Sequence, residues 1–518
     1  MRCRQVHLPR RSFRDARSFS FKSETMASLG MLLSHVLLLS VGISFSAAFP
    51  SFPADTEKVI LLLVDGVRWD YLNDSSYSGF HRIASNGVRA EYVTPVFPSN
   101  SYPNWYSIVT GLYPESHGIV QNYMYDAEKD DLFLMALHSN ASHAHWWNDA
   151  EPVWVTAEKR DLKSAVYWWD GCQVVIQGKK PSKCEEYANY WVWGKVNKDT
   201  FNAMTDILDK FQKDNFRLGL VYYEAVDANG HFRGPDSEER VQSLKDIDSI
   251  LDSIQNEIAR RGMENQVNLI VVSDHGMSAV NPDGPKVIDI EKAVSLKDVK
   301  LMLDRGAVSM ILPEEGRDEK IYEDLKKSSI QGLTVYRKRD IPEHYHFKRH
   351  KLVQPILLIA DEGYVIKALS DPKKMKPFAE RIFKGYHGYD PYKVKDMRTI
   401  FYARGPSFKK GMVSPPLEMV DHYNAICRAM GMEPLSNNGS WTRARAMLTG
   451  NALRPETHIG MVRMLCTTTE EAVILFESLT SDCNDTLVEN SSDEEISIED
   501  PPVASSSGFQ NAENVGSS

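Results

Sequence analysis

Val59-Ile60-Leu61-Leu62-Leu63-Val64 runs straight into Asp65-Gly66, and this stretch governs how the rest of the chain is read. An unbroken apolar run of this length suits a strand buried on both faces, as in parallel sheets. The pattern recurs at Leu218–Tyr223, with Asp227 just beyond, and at Val267–Val272, which leads into Ser273-Asp274-His275-Gly276. Helical spacing fills the intervals. Thr200–Asp214 carries Phe201, Met204, Ile207, Leu208 and Phe211, and Ser237–Gly262 carries Val241, Leu244, Ile247, Ile250, Leu251 and Ile254. Strands alternating with helices predict an α/β fold with a mostly parallel central sheet and helices on both faces. Ligands of such sheets bind beyond the carboxyl ends of the strands. There the three runs deliver Asp65, Asp227 and Asp274.

The chain has 518 residues, 42% hydrophobic and 25% charged, which excludes wholesale disorder. Lys and Arg total 60 against 70 Asp and Glu, a formal net charge of −10. That balance is wrong for a general nucleic-acid binder, which needs a basic footprint. With 6 cysteines the fold must rest on its hydrophobic core. Cys172 and Cys184 close a short loop and are expected to be bridged, whereas Cys427, Cys466 and Cys483 form an odd set.

The two ends read differently from the middle. Residues 1–48 hold a basic leader, an apolar stretch from Leu29 to Phe45, and small residues at Ser46-Ala47-Ala48. This is the order of a secretory signal, and a start at Met26 would leave it intact. Residues 451–518 are acidic and Ser-rich, are expected to be disordered, and show no hydrophobic lipid-anchor tail. Residues 49–450 are read as the catalytic domain of an exported protein without a membrane span in its mature form. The glycosylation sequons at Asn73, Asn140, Asn438, Asn484 and Asn490 suit that route.

The acids are joined by histidines. Asp227 and His231 lie four apart, Asp274 and His275 are adjacent, and His387 sits in the Gly-flanked turn Gly385–Asp390. Carboxylate with imidazole is a zinc-type ligand mix, and two such ions can clamp both the attacking and the leaving oxygen of a phosphoryl displacement. Spacing alone leaves the partners of His387 open. His117, His344, His346, His350 and His422 are read as structural or solvated. Ser101, in Phe97-Pro98-Ser99-Asn100-Ser101-Tyr102-Pro103-Asn104, stands at an expected helix start. Such a hydroxyl is either a plain N-cap or, beside a metal, a nucleophile.

Together these segments resemble the ectonucleotide pyrophosphatase/phosphodiesterase family of the alkaline-phosphatase superfamily. The resemblance runs from about Lys58 to Gly450 and includes Thr110–Gly118, Asn122–Asp126, Asp227–Pro235 and Ser273–Met277. It implies two zinc ions, one on Asp227, His231 and His387, the other on Asp65, Asp274 and His275. Ser101 would be the metal-bound nucleophile and Asn122 the donor to a phosphate oxygen. Asp65, Asp227, His275 and His387 would border the substrate together with Asn122 and Tyr222. Most members carry Thr where this chain has Ser101. That serine, with Trp146–Trp154, Trp169–Cys172 and Asn437–Trp441, resembles the choline-specific glycerophosphodiester phosphodiesterase branch. Glycerophosphocholine and lysophosphatidylcholine would then be cleaved to phosphocholine through a phosphoserine. Sister activities, nucleotide pyrophosphatase or sphingomyelin phospholipase C, would share the metal site, and a non-enzymatic binding ectodomain is the remaining alternative. A sulfatase is excluded because Trp105 stands where its Ser-x-Pro-x-Arg motif needs Arg. Ala446 lies where a dimer-linking cysteine is expected, which argues against a covalent dimer.

A chemical argument adds to the choline reading. Tyr167, Trp168, Trp169, Tyr187, Tyr190, Trp191, Trp193, Tyr222 and Tyr223 crowd the stretches between the metal motifs, with Glu185, Glu186 and Glu224 among them. Aromatic faces hold a quaternary ammonium by cation–π attraction and a carboxylate adds charge. Tyr222 is the first candidate for such a cage by resemblance, followed by Tyr187 and Trp191.

Overall fold

The computed structural model describes residues 58–280, 286–375, 383–450 and 452. The expected leader and tail, Asn484, Asn490, Cys466 and Cys483 lie outside these residues.

The three apolar runs are the three central strands of one eight-stranded sheet. In chain order its strands are β1 (Lys58–Val64), β2 (Gly87–Ala90), β3 (Lys163–Tyr167), β4 (Lys183–Glu185), β5 (Phe216–Tyr223) and β6 (Val267–Val272). Four strands of a second sheet intervene, β7 (Val299–Leu303), β8 (Val308–Pro313), β9 (Leu333–Arg337) and β10 (Ile356–Ala360). β11 (Phe401–Arg404) and β12 (Met412–Ser414) then complete the first. Its spatial order is β12-β2-β11-β6-β1-β5-β3-β4. β1 pairs in parallel with both β5 and β6. Only β11 runs against its neighbours. The expected fold is therefore the observed one.

β1 shows why an apolar run without alternation was required. Val59, Leu61 and Leu63 enter the core on one face, and Ile60, Leu62 and Val64 enter the core on the other. The first face is covered by α2 (Ser101–Thr110) and α6 (Asp421–Ala429). The second is covered by α1 (Ser78–Ser85), α3 (Trp193–Lys213) and α5 (Glu238–Arg260). α3 begins earlier than the Thr200 expected, because Trp193 and Val196 continue the apolar spacing and pack on the same core. Ser237 caps α5 by accepting a hydrogen bond from the Arg240 amide at 3.3 Å.

α2 starts at Ser101 itself, with Asn100 as N-cap. Ser101 is thus a first-turn residue and not the cap. Pro103 sits in that turn, where its missing N–H leaves no bond unmade. Cys172 and Cys184 are bridged as expected, with Cα atoms 5.7 Å apart. Cys427, in α6, has no disulfide partner among the described residues, and burial pushes its pKa up to about 12. Asn73 and Asn438 are exposed and Asn140 is half-buried. No described helix is long and apolar enough to cross a membrane.

The four-stranded antiparallel sheet, ordered β7-β8-β10-β9, has its own apolar core and lies in sequence between β6 and His387. It was not anticipated from the pattern of the chain.

Leu62→Ala should cost about 2–5 kcal/mol, because both faces of β1 are close-packed and cannot collapse on the cavity. Chemical denaturation would check this, and a loss under 1 kcal/mol would contradict two-sided burial. Burial lowers the pKa of His422 to about 4. Its unfolded form binds a proton below about pH 6.5, so unfolding takes up protons between those values and stability falls as pH drops through that window. In His422→Phe the loss of melting temperature between pH 7.5 and 5 should be smaller than in the parent chain.

Candidate active site

The three central strands deliver their acids to one place because they are neighbours in parallel. Asp65 follows β1 directly, and its neighbour Gly66 donates its amide to Asp274 Oδ1 at 3.2 Å. Gly66 has φ +73°, and a Cβ there would stand 2.8 Å from the Cα of Asp227. Only glycine lets the turn after β1 approach the next element this closely. That element is α4 (Ala225–Arg233), which places Asp227 and His231 on one face at i and i+4. Asp274 and His275 follow β6. His387 arrives from Gly385-Tyr386, which pairs with Ser278-Ala279. Gly388 after it has φ +97°, with Asn100 Oδ1 only 2.5 Å from where a Cβ would be.

These residues fall into the two groups expected. The ligand atoms of Asp227, His231 and His387 lie within 4.8 Å of one another, as do those of Asp65, Asp274 and His275. Each histidine has its Nδ1 against a backbone carbonyl: His231 on Gly385 at 2.8 Å, His275 on Gly276 at 2.9 Å and His387 on Ser99 at 3.0 Å. A carbonyl only accepts, so Nδ1 carries the proton and Nε2 presents a lone pair. Those lone pairs face carboxylate oxygens. His231 Nε2 is 3.5 Å and His387 Nε2 is 3.7 Å from Asp227 Oδ1, and His275 Nε2 is 3.5 Å from Asp65 Oδ1. Asp65 Oδ1 and Asp227 Oδ1 are buried and accept no hydrogen bond from the described residues. Lone pairs converging on unpartnered buried carboxylate oxygens repel one another unless a cation sits between them. The residues therefore fit metal ions.

The electrostatics agree. Burial first, then the neighbouring carboxylates, raises Asp65 and Asp227 well above the usual range. Burial lowers His231 to about 4, lowers His275, and takes His387 well below the ordinary histidine value. The imidazoles are thus neutral, as ligands must be.

Ser101 Oγ lies 3.2 Å from His275 Nε2. Asn122 accepts the Tyr102 amide through Oδ1 at 3.1 Å, which leaves its side-chain NH2 to donate. Trp105, which the sequence reading used only to exclude a sulfatase, donates Nε1 to Asp274 Oδ2 at 2.7 Å and so orients a candidate ligand from one turn beyond the serine.

The profile described as "Type I phosphodiesterase / nucleotide pyrophosphatase" matches residues 59–390, a span that holds all of these groups. The chain belongs to this family. Human ectonucleotide pyrophosphatase/phosphodiesterase family member 5 is 33% identical over 424 residues, covering 82% of this chain and 84% of that protein. Human bis(5'-adenosyl)-triphosphatase ENPP4 is 32% identical over 417 residues, covering 79% and 87% respectively. An inactive variant of murine family member 5, solved in complex with AMP, matches with a TM-score of 0.68 at 33% identity, covering 76% of this chain and 100% of that one. The chain is thus a phosphodiesterase of the ectonucleotide pyrophosphatase/phosphodiesterase family, and its Asp/His groups could hold the metal ions such enzymes bind.

The family's phosphodiesterase chemistry here opens onto a cavity of about 410 Å3, lined by Ser101, Asn122 and members of both metal groups. Trp168, Tyr187, Trp191, Tyr222 and Glu224 form one wall. Tyr187 donates its hydroxyl to Glu224 Oε2 at 2.6 Å, and burial raises the pKa of Glu224. Tyr222 lines the cavity but also donates to Asp65 Oδ2 at 2.7 Å, so its hydroxyl orients a metal-site carboxylate. The remaining aromatics are elsewhere. Tyr223 points to the opposite face of the sheet, as strand alternation demands, and bonds Asn197 at 2.8 Å. Tyr167 bonds Asp206 and Trp169 is core. Tyr190 and Trp193 do not line the cavity, and Glu185 and Glu186 are exposed outside it. Asp304 and Arg305, from the turn after β7, also line the cavity, and burial raises Asp304 to about 7. No motif pointed to them, since they reach the cavity only through the second sheet.

Gly66→Ala should remove most activity and lower bound metal, because strain at φ +73° and the 2.8 Å approach both push Asp227 away. Metal content by mass spectrometry beside a melting curve would check this. Normal metal content in the folded variant would contradict the argument.

Proposed function

We propose that residues 49–450 form an exported two-zinc phosphodiesterase in which Ser101 is the nucleophile. The observation that carries the reading is the convergence of three histidine lone pairs on Asp65 and Asp227. Asp227, His231 and His387 would hold one ion, and Asp65, Asp274 and His275, with Ser101, the other. Bound there, two zinc ions would supply the positive charge that lets a serine hydroxyl ionise and that neutralises the phosphate oxygens.

The chain's own residues do the rest. Ser101 Oγ, half-buried at the start of α2 where it lines the cavity, attacks phosphorus in line. The new Oγ–P bond forms as the bond to the leaving alcohol breaks, and the phosphoryl group stays on the serine. Asn122 donates its amide to a non-bridging oxygen. Trp105 and Tyr222 hold Asp274 and Asp65 in place. Water then cleaves the phosphoserine from the opposite side. In the murine relative a threonine-to-alanine variant is the inactive form, and the family resemblance puts Ser101 where most members carry threonine.

Two substrate readings differ only in the cavity. The chemistry of the wall supports a choline phosphodiester. Tyr187, Trp191 and Tyr222 offer aromatic faces, and the Glu224 carboxylate beside them adds the negative charge that a quaternary ammonium needs. A nucleotide is the second reading, and the relatives favour it more directly, since one is named for a dinucleotide and another was solved with AMP. The same aromatic walls could stack a base.

Ser101→Ala should abolish turnover while leaving metal content unchanged, and chelation should abolish it in the parent chain. Full activity in the variant would remove the covalent step. Glycerophosphocholine, a dinucleotide and a nitrophenyl phosphodiester offered side by side would decide the substrate. On the choline reading, Glu224→Gln lowers kcat/KM for glycerophosphocholine at least tenfold and leaves the nitrophenyl ester nearly unaffected. Preferential cleavage of the dinucleotide would replace that reading with the nucleotide one.

A further inference from the structure

A third group of metal-type ligands lies outside the catalytic cavity. The ligand atoms of Asp131, His143 and His145 fall within 4.8 Å of one another. His143 Nδ1 is 2.6 Å and His145 Nε2 is 3.4 Å from the same oxygen, Asp131 Oδ2. The other oxygen, Oδ1, is already taken by Asn140 Nδ2 at 3.0 Å and by the Leu132 amide at 2.9 Å. The carboxylate is therefore turned so that Oδ2 faces both rings, an orienting arrangement typical of the residues behind metal ligands. His145 Nε2 is buried and makes no hydrogen bond, although it points at that oxygen. His143 makes an ordinary hydrogen bond to the carboxylate, whereas His145 Nε2 points at the same oxygen without one.

We propose that Asp131, His143 and His145 bind a third divalent ion, zinc by ligand type, that is structural and not catalytic. Two imidazoles and a carboxylate suit zinc, and the exposed side of the site leaves room for a water as fourth ligand. His143 would bind through Nδ1 once its proton moves to Nε2, and His145 binds through Nε2.

The position of the site gives it a purpose. Asp131, in the short strand Asp131–Phe133, and residues 143–145 flank the segment 134–142, which supplies Met135 and Ala136 to the cavity wall. The Ala136 amide donates to Tyr102 Oη at 2.7 Å, and Tyr102 follows the nucleophilic serine. Met135 and Leu137 have φ +50° and +61°, a left-handed backbone that non-glycine residues keep only when the surroundings hold them there. An ion across the loop ends would act as a bridge does, limiting the conformations open to the loop and fixing the wall it builds.

The test is zinc stoichiometry by mass spectrometry on the purified full chain, equilibrated with micromolar zinc and passed through a sizing column. His143→Ala/His145→Ala should hold one zinc fewer per chain than the parent. The same variant should keep kcat within about twofold and raise KM severalfold as the wall loosens. Equal zinc in parent and variant would overturn the proposal and leave an ordinary surface ion pair. Because the reading is a difference, it stands apart from how many ions the catalytic groups hold. If the double variant does not fold, His143→Asn, at a half-exposed ring, serves instead. Zinc titration of the parent by calorimetry should then show a site weakened at least tenfold in the variant, and identical isotherms would overturn the proposal.

Discussion

Three carboxylates buried within reach of three neutral imidazoles are the constraint on which the rest of this molecule depends. Asp65, Asp227 and Asp274 repel one another and lose hydration together, which is why Asp65 and Asp227 are pushed so far up. A fold can hold such a group only by building a rigid frame around it and leaving the repulsion to be cancelled by cations. The frame here is the parallel trio β5-β1-β6, buried on both faces. Backbone carbonyls fix the histidine tautomers, and Trp105 and Tyr222 fix the carboxylates. Glycine at position 66 lets the turn after β1 meet α4 at close range.

The same frame separates chemistry from choice of substrate. The metal groups and Ser101 sit on the ends of core elements. The cavity above them is walled by longer excursions: Tyr187 and Trp191 before α3, Met135 and Ala136 in the loop at 134–142, and Asp304 and Arg305 from the second sheet. Relatives of this chain can therefore share the hydrolytic machinery while acting on different phosphodiesters. Tyr187, Trp191, Met135, Ala136, Asp304 and Arg305 lie off the strands of the central sheet, whereas Tyr222 is the exception, standing on β5 and bonding Asp65.

Much of this was legible in the chain. Unbroken apolar runs marked the strands, and the acids after them marked the ligand-binding edge, because a parallel sheet places strand ends together. Asp227 with His231 was legible as a pair four apart, and the structure showed that the segment is a helix. The aromatic wall was only partly so. Tyr222 and Tyr223 are equivalent as letters, yet alternation sends one to the cavity and the other to the opposite core. The roles of Trp105 and Asp304, and the meeting of Asp131 with His143 and His145, left weak traces or none. His-x-His at 143–145 was a visible spacing, but its carboxylate comes from the far end of a loop.

The sequence by itself determined the fold class and the family, through periodicity and short motifs, and it named the candidate ligands, with the place of His387 among them resting on the family resemblance. Tertiary structure alone decided which aromatics face the substrate, which hydroxyl serves a carboxylate instead of a ligand, and where the second sheet enters the cavity. Those outcomes depend on side-chain direction and on contacts between segments tens to hundreds of residues apart. Local patterns carry no record of such contacts, because the energy that selects them exists only once both segments are folded.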